Sequence, residues 1–169
     1  MSLAPSTSAT TIRPAEPADV RRIHALLLEL AEYERLAHEV HATADSLHEA
    51  LFGVRPAAEA IVADVGGQTV GYALFFTTYS TFVGRPGIYL EDLYVQPDAR
   101  GGGVGKRLLA RIATLAVERR CGRLEWAVLD WNRPSIEFYE RLGAQAMAEW
   151  TVYRLTGEKL AALAASPEG

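Results

Sequence analysis

The sequence has little of what disulfide frameworks, membrane spans and nucleic-acid surfaces require. Its single cysteine, Cys121, excludes an internal disulfide and favours a reducing compartment. No apolar run approaches the roughly 18 residues that a membrane span needs. A net charge of −4 gives no electrostatic reason to expect nucleic acid as a partner. We therefore expect a cytoplasmic protein whose partners include neither membrane nor nucleic acid.

Metal-ligand and thiol-nucleophile patterns are equally sparse. His38 and His41 have neither a third ligand nor a carboxylate pattern typical of zinc, so we expect no metal site. Cys121 has no histidine paired with it in the sequence pattern, and we interpret it as a packing residue.

What is present suits one globular domain. The chain has 169 residues, 49% of them hydrophobic, which allows a sizeable core. Residues 1–10 are rich in Ala, Ser, Thr and Pro and lack the basic and apolar regions of a signal peptide, so we expect a flexible tail. The predicted single domain spans residues 11–165.

Hydrophobic periodicity predicts a mixed α/β order, β-α-α-β-β-β-α-β-α-β, followed by a terminal helix. Residues 123–129 are apolar enough to predict a strand in the middle of the sheet. The other predicted elements are a strand at 12–14, helices from 17 to about 33 or 36 and from 43 to 53, a hairpin over 60–78, a strand over 87–95, a helix after residue 103, a helix over 135–142, a strand over 151–155 and a helix over 156–165.

The most informative stretch is Arg-Gly-Gly-Gly-Val-Gly-Lys at residues 100–106, between a predicted strand and a predicted helix. Backbone N–H groups at a helix N-terminus suit a phosphate, and glycine lets the ligand approach the backbone. The spacing excludes a Rossmann G-x-G-x-x-G, which would need glycine at Lys106 or Leu108. It also excludes a Walker loop, which would need glycine at Arg100. A plain flexible turn is the alternative.

Arg100-x-x-Gly103-x-Gly105 resembles the pyrophosphate loop of the GCN5-related N-acetyltransferases, the GNAT superfamily. Further motifs stand in the order of its diamine/polyamine branch, so the resemblance covers about residues 12–155. These motifs are Glu29-Leu30-Ala31-Glu32-Tyr33-Glu34, Tyr89-Leu90-Glu91-Asp92, Trp131-Asn132-x-Pro134-Ser135 and Phe138-Tyr139-x-x-x-Gly143-Ala144.

The resemblance implies a GNAT fold, in which a mixed central sheet flanked by helices carries a β-bulge in the strand before the loop. It also implies acetyl-CoA as co-substrate and a homodimer. The residues expected to bind acetyl-CoA are Leu93, Tyr94, Val95, Arg100, Gly101, Gly102, Gly103, Val104, Gly105, Lys106, Asn132, Arg133 and Pro134. For Asn132, a plain helix N-cap is an alternative.

Within the branch, Tyr79-Ser80-Thr81 and the run 128–132 are more similar to the thialysine-type enzymes than to the polyamine enzymes. The polyamine enzymes carry an acidic residue near Ser80. The resemblance implies substrate contacts from Tyr33, Glu34, Glu91 and Asp92, and from Glu149 if a gap is placed after Ala144.

Acetyl transfer to an amine requires both a base and an acid. An alkyl ammonium near pKa 10.4 leaves on the order of one molecule in a thousand nucleophilic at pH 7, and the departing thiolate needs a proton. By resemblance, Glu91 binds the amine and relays its proton, Asp92 supports it, and Tyr139 is the acid. The alternatives are solvated strand carboxylates and an aromatic that covers the sheet.

We therefore expect an N-acetyltransferase that acts on a small primary amine, such as a thialysine-like amino acid, a diamine or a polyamine. The expected reaction is direct attack in a ternary complex. The alternatives are another amine acceptor (a drug, an antibiotic or a protein amine) and a non-catalytic acyl-CoA-binding module.

Overall fold

A computed structural model describes residues 9–166 of the chain. Most of the expected tail, residues 1–10, lies outside the described residues. The chain divides into two compact units, residues 1–129 and residues 130–169, and each is described by itself.

The first unit is built on a five-stranded sheet with the order β1-β2-β3-β4-β5. Neighbouring strands are antiparallel except for β4 and β5, which are parallel. Its elements are β1 (Thr10–Pro14), α1 (Val20–Tyr33), α2 (Ala44–Phe52), β2 (Glu59–Val65), β3 (Gln68–Ser80), β4 (Arg85–Val95), α3 (Val104–Glu118) and β5 (Leu124–Trp126). Short 3-10 turns span Pro17–Asp19, Ala37–Glu39 and Pro97–Ala99.

Helices α1 and α2 bury one apolar face each against the sheet. Ile23 and Leu26 of α1 are fully buried and belong to one core cluster with Leu47 of α2 and Tyr72 of β3. Helix α2 begins where predicted, because the Thr43 side chain accepts from the Ser46 amide and the Ser46 side chain accepts from the Thr43 amide. Such a capping box contributes about 1 kcal/mol to helix stability.

Helix α3 buries Val104, Leu108 and Ile112. Just past its end, the guanidinium of Arg119 lies 5.8 Å from the ring centroid of Phe75. Phe75 alternates along β3 with Tyr72 and Leu74, which belong to the core cluster of α1 and α2. Since adjacent strand residues point to opposite faces, helices cover both faces of the sheet.

A strand is present within residues 123–129, but its predicted length and its predicted place in the middle of the sheet were wrong. Strand β5 has only three residues, all half-buried, and it lies at the edge of the sheet. It pairs with β4 only over Ile88–Leu90.

The second unit contains α4 (Arg133–Arg141) and α5 (Gly157–Ala164). The predicted strand over residues 151–155 was also wrong, since these residues are exposed and join no ladder within the described part of the chain. Apolar alternation alone does not make a strand without a partner.

Between residues 9 and 166, no helix combines the length and the hydropathy that spanning a membrane would require. The described residues also hold no group of three or more His, Cys, Asp or Glu suited to a metal ion.

Candidate active site

The expected β-bulge lies at Glu91. Leu74 of β3 pairs with Asp92 and the next residue, Phe75, pairs with Leu90, so Glu91 is the extra residue on β4. In a regular strand Glu91 and Asp92 would point to opposite faces, and a bulge changes that local geometry. Glu91 is exposed, whereas Asp92 is half-buried.

Asp92 is held by a residue that the motifs did not single out. The buried Tyr72 hydroxyl donates to Oδ2 of Asp92 at 3.0 Å. Burial raises the pKa of Asp92 to about 6, the Tyr72 hydrogen bond opposes this shift, and the charges of Glu91 and Glu34 add to it. The pKa of Tyr72 is raised as well, first by its burial and then by the Asp92 charge. In the sequence, Tyr72 was marked only by its position in a strand of alternating apolar residues, which does not indicate a role in the site.

A cavity of about 360 Å³ brings Asp92 together with the C-terminal part of α1. Glu34 lines it together with several apolar residues, and burial raises the pKa of Glu34. Its lining residues are Leu27, Leu30, Ala31, Glu34, Leu36, Glu39, Val40, His41, Ala42 and Asp92. Glu39 and His41 were not predicted to lie here. Among the described residues Glu91 is not part of this lining, although its charge acts on Asp92.

Within residues 9–129, one edge of β4 has no paired strand next to the bulge. The pairing of β4 with β5 runs from Ile88 to Leu90 and ends there. Leu93, Tyr94 and Val95 are paired on their other side, with β3. Backbone N–H and C=O groups that face away from β3 at this point can therefore bond an extended ligand.

The glycine run forms the turn that enters α3. Gly101 and Gly103 have φ values of +83° and +78°, which favour glycine, and Gly103 is the N-cap of α3. A Cβ at Gly101, Gly102 or Gly103 would meet nothing within 4 Å, so this surface is open. The first N–H groups of α3, from Val104 to Lys106, have no partner within the helix and suit an anion.

The side chain of Arg100 folds back rather than extending from the loop. Its Nε donates to the Val95 carbonyl at 2.8 Å. Its guanidinium lies 5.2 Å from the ring centroid of Tyr33 and 5.5 Å from that of Tyr94. Tyr33, predicted as a substrate contact, is therefore also a neighbour of the loop.

In the second unit, Asn132 is buried and accepts from the Ser135 amide at 3.4 Å as the N-cap of α4, so the N-cap interpretation is confirmed. Arg133 and Pro134 are exposed in the first turn. Tyr139 is half-buried on α4, its ring 5.3 Å from that of Phe138. Glu149 is exposed in a turn.

Comparison with known protein families identifies the family of this chain. The profile of the Acetyltransferase (GNAT) family matches residues 21–144, from α1 to the residues after α4. The chain belongs to the GNAT family.

Curated relatives agree with this assignment. The chain is 39% identical to the thialysine N-epsilon-acetyltransferase of Bos taurus over 90% of this chain and 96% of that protein. It is 32% identical to the L-ornithine N5-acetyltransferase NATA1 of Arabidopsis thaliana over 90% of this chain and 86% of that protein. This GNAT protein is therefore an enzyme, an N-acetyltransferase, as the sequence predicted.

The fold agrees as well. An integron cassette protein from the mobile metagenome of V. cholerae superimposes with a TM-score of 0.78 at 26% identity, covering 93% of this chain and 98% of that one. The predicted GNAT fold, with its mixed sheet, flanking helices and bulge, is confirmed.

Proposed function

We propose that this enzyme moves the acetyl group of acetyl-CoA to a primary amine of a small cationic molecule, by direct attack in a ternary complex. The observation that carries the proposal is the cavity in which Asp92 and Glu34 face an apolar lining. Two carboxylates attract a cationic amine, and the apolar wall suits the carbon chain between its charged ends.

Donor binding is assigned to the loop and the open edge of β4. The N–H groups of residues 101–106 would bind the pyrophosphate, with Lys106 adding positive charge. Backbone groups of Leu93, Tyr94 and Val95 would hold the pantetheine arm and the acetyl carbonyl. Arg100 contributes through its backbone, because its side chain bonds back to Val95. Asn132, Arg133 and Pro134 are proposed contacts from the second unit.

The bulge carboxylates would receive the proton of the amine. A carboxyl with a pKa of about 6 is a stronger base than an ordinary aspartate and is still ionised at pH 7. This favours Asp92 as the carboxylate that binds and deprotonates the ammonium. Glu91 shares the task, because its charge raises the proton affinity of Asp92.

Protonation of the departing thiolate is assigned to Tyr139. The tyrosine is half-buried, so part of its side chain is accessible to a ligand. A positioned acid contributes on the order of 10²- to 10⁴-fold to the rate.

For the acceptor we propose a thialysine-like amino acid or a diamine ahead of a polyamine. Relatives at 32–39% identity are named for thialysine and L-ornithine. Ser80 lies near the position at which the polyamine enzymes are expected to carry an acidic residue. It is buried, and its Oγ accepts from the Val83 amide at 3.2 Å, so it serves the β3–β4 turn. Tyr33, Glu34 and Glu149 complete the proposed contacts.

We also propose a cytoplasmic homodimer. Exposed apolar side chains are concentrated in the second unit, where Trp150, Val152 and Tyr153 are 71%, 87% and 92% exposed. Such a concentration is typical of a protein interface. The family profile spans the boundary between the two units, which supports a single domain over residues 11–165.

The test is the turnover of acetyl-CoA with a panel of acceptors, measured by the release of free thiol. The panel contains thialysine, ornithine, putrescine and spermidine, with the hydroxyl analogue of each acceptor as its control. We expect thialysine or ornithine to give the highest kcat/KM and the hydroxyl analogues to give background. If none of these amines raises thiol release while acetyl-CoA still binds, the proposal of a small cationic acceptor is wrong.

A further inference from the structure

The donor loop and helix α1 are joined by a contact between the side chains of Arg100 and Tyr33. The guanidinium of Arg100 lies over the ring of Tyr33 and over that of Tyr94, with centroid distances of 5.2 and 5.5 Å. Tyr33 is the last residue of α1, and Arg100 precedes the glycine run. A guanidinium over an aromatic face is an attractive contact that depends on its planar shape as well as on its charge.

A second contact ties α1 to the same end of β4. Glu29 of α1 accepts from Nε2 of Gln96 at 2.9 and 3.0 Å and from the Tyr94 hydroxyl at 3.2 Å. Arg22, two turns earlier on α1, donates to Oε1 of Gln96 at 2.7 Å and to the Thr69 carbonyl at 2.9 Å. These bonds hold the body of α1 on the strand, whereas Arg100 contacts Tyr33, the last residue of α1, from the loop.

The end of α1 is also the wall of the acceptor cavity. Leu30, Ala31 and Glu34 line that cavity together with Asp92. Tyr33 adjoins Glu34 in the chain, so the orientation of this last turn determines where the Glu34 carboxylate stands. One helix end therefore faces the donor loop through Tyr33 and the acceptor through Glu34.

We propose that Arg100 is a positioning residue that couples the donor loop to the acceptor cavity through Tyr33. The coupling rests on the proposed function, because it requires acetyl-CoA on the glycine loop and an amine beside Asp92. A ligand that fixes the loop fixes Arg100, and the stacked guanidinium then holds the end of α1 and Glu34. Donor binding in this way prepares the cavity for the amine.

Thermodynamic linkage supplies the test, because coupling between two sites is reciprocal. Tyr33 contacts Arg100 of the loop, so the loss of its ring should weaken the binding of CoA even when no amine is present. If Tyr33 contacts only the acceptor, CoA affinity without acceptor will not change. The measurement is the Kd of CoA by calorimetry, with and without the amine found in the panel.

We expect Tyr33→Leu to raise the Kd of CoA about fivefold and Tyr33→Phe to restore it, because phenylalanine keeps the aromatic face. Arg100→Lys keeps the charge but lacks the planar group. It should weaken CoA binding to a similar degree, and the double variant Arg100→Lys/Tyr33→Leu should be no weaker than Arg100→Lys alone. The same variants should reduce the factor by which CoA improves amine binding. Tyr79→Leu, at an exposed tyrosine of β3, is the control and should bind CoA as the wild type does.

Tyr33 is 37% exposed, so its truncation should leave a folded protein, which a thermal melt checks. A wild-type Kd in folded Tyr33→Leu overturns the coupling and leaves the proposed function intact. Additive losses in the double variant also overturn it, since Arg100 and Tyr33 would then act separately. Absence of CoA binding by the wild type would instead overturn the proposed function itself.

Discussion

The Tyr72 hydroxyl donates to Oδ2 of Asp92 across the β3–β4 pair at 3.0 Å, immediately beside the bulge at Glu91. This one bond joins the buried core to the acceptor cavity, because Tyr72 is fully buried and Asp92 lines the cavity. It also opposes the upward shift that burial imposes on the pKa of Asp92. Catalytic pH dependence should therefore respond to a residue that does not line the cavity.

The first prediction concerns that pH dependence. With the pKa of Asp92 at about 6, kcat/KM should rise as pH passes upward through about 6, since the ionised carboxylate is the base. Tyr72→Phe removes the hydrogen bond that lowers the pKa of Asp92, so the rise should move to higher pH. The measurement is the pH profile of kcat/KM for both proteins with the same amine. An unchanged profile in Tyr72→Phe would show that Asp92 does not set this limb.

The second prediction concerns stability and has a definite sign. The folded-state pKa of Asp92, about 6, exceeds the roughly 3.9 of an unfolded aspartate, so the folded state binds more protons between these values. The contribution of Asp92 to stability is present below about pH 4 and is lost as pH rises through 6.

Asp92→Asn removes this loss, because the amide cannot ionise. We expect its free energy of unfolding to exceed that of the wild type at pH 8 by up to about 3 kcal/mol, and the excess to shrink toward pH 4. Urea unfolding at both pH values measures it. Asp45→Asn, at an exposed position of α2, should show no such trend. If Asp92→Asn is only as stable as the wild type at pH 8, the pKa of Asp92 is not raised in the folded protein. The same variant should also have lost most of its turnover.

The third prediction isolates the acid. Tyr139→Phe should lower kcat about 100-fold or more and leave the Kd of acetyl-CoA close to that of the wild type, because only the hydroxyl is removed. Steady-state kinetics and calorimetry on the same preparation measure the two quantities. Phe138→Leu, beside it on α4, is the matched control for loss of packing. If Tyr139→Phe keeps full activity, another group protonates the thiolate.

Local patterns predicted the glycine turn before α3 and the cap of α2, because each depends on residues close in sequence. The bulge at Glu91 was expected only from the family resemblance, since a bulge is a relation between two strands. Adjacency of Glu91 and Asp92 showed that only one could face a given side of a regular strand. Which of them would enter the cavity depended on the path of β4 against β3, a distant pairing.

Contacts between distant segments were beyond the sequence patterns. Tyr72 and Asp92 are 20 residues apart, and Glu29 and Gln96 are 67 apart. No spacing rule connects such pairs, since the pairing of β3 with β4 brings the first pair together and the packing of α1 against the sheet brings the second together. The errors at residues 123–129 and 151–155 have the same origin, because a strand exists only where a neighbour pairs with it.

The last prediction separates the two reasons for glycine in the donor loop. Gly103 has a φ of +78°, in the left-handed region, whereas Gly102 is not among the residues with positive φ. A Cβ would meet open space at both positions, so any steric cost inside the free protein comes from the backbone alone. Gly103→Ala should lower the free energy of unfolding by about 1–2 kcal/mol, and Gly102→Ala should leave it within about 0.5 kcal/mol of the wild type.

Both substitutions should weaken acetyl-CoA binding, because a methyl group keeps the pyrophosphate from the backbone N–H groups. Urea unfolding of the free protein and calorimetry with acetyl-CoA distinguish the two effects. If Gly102→Ala bound acetyl-CoA as tightly as the wild type, the ligand would not approach the backbone at residue 102, and close contact would be confined to the N–H groups from Gly103 onward.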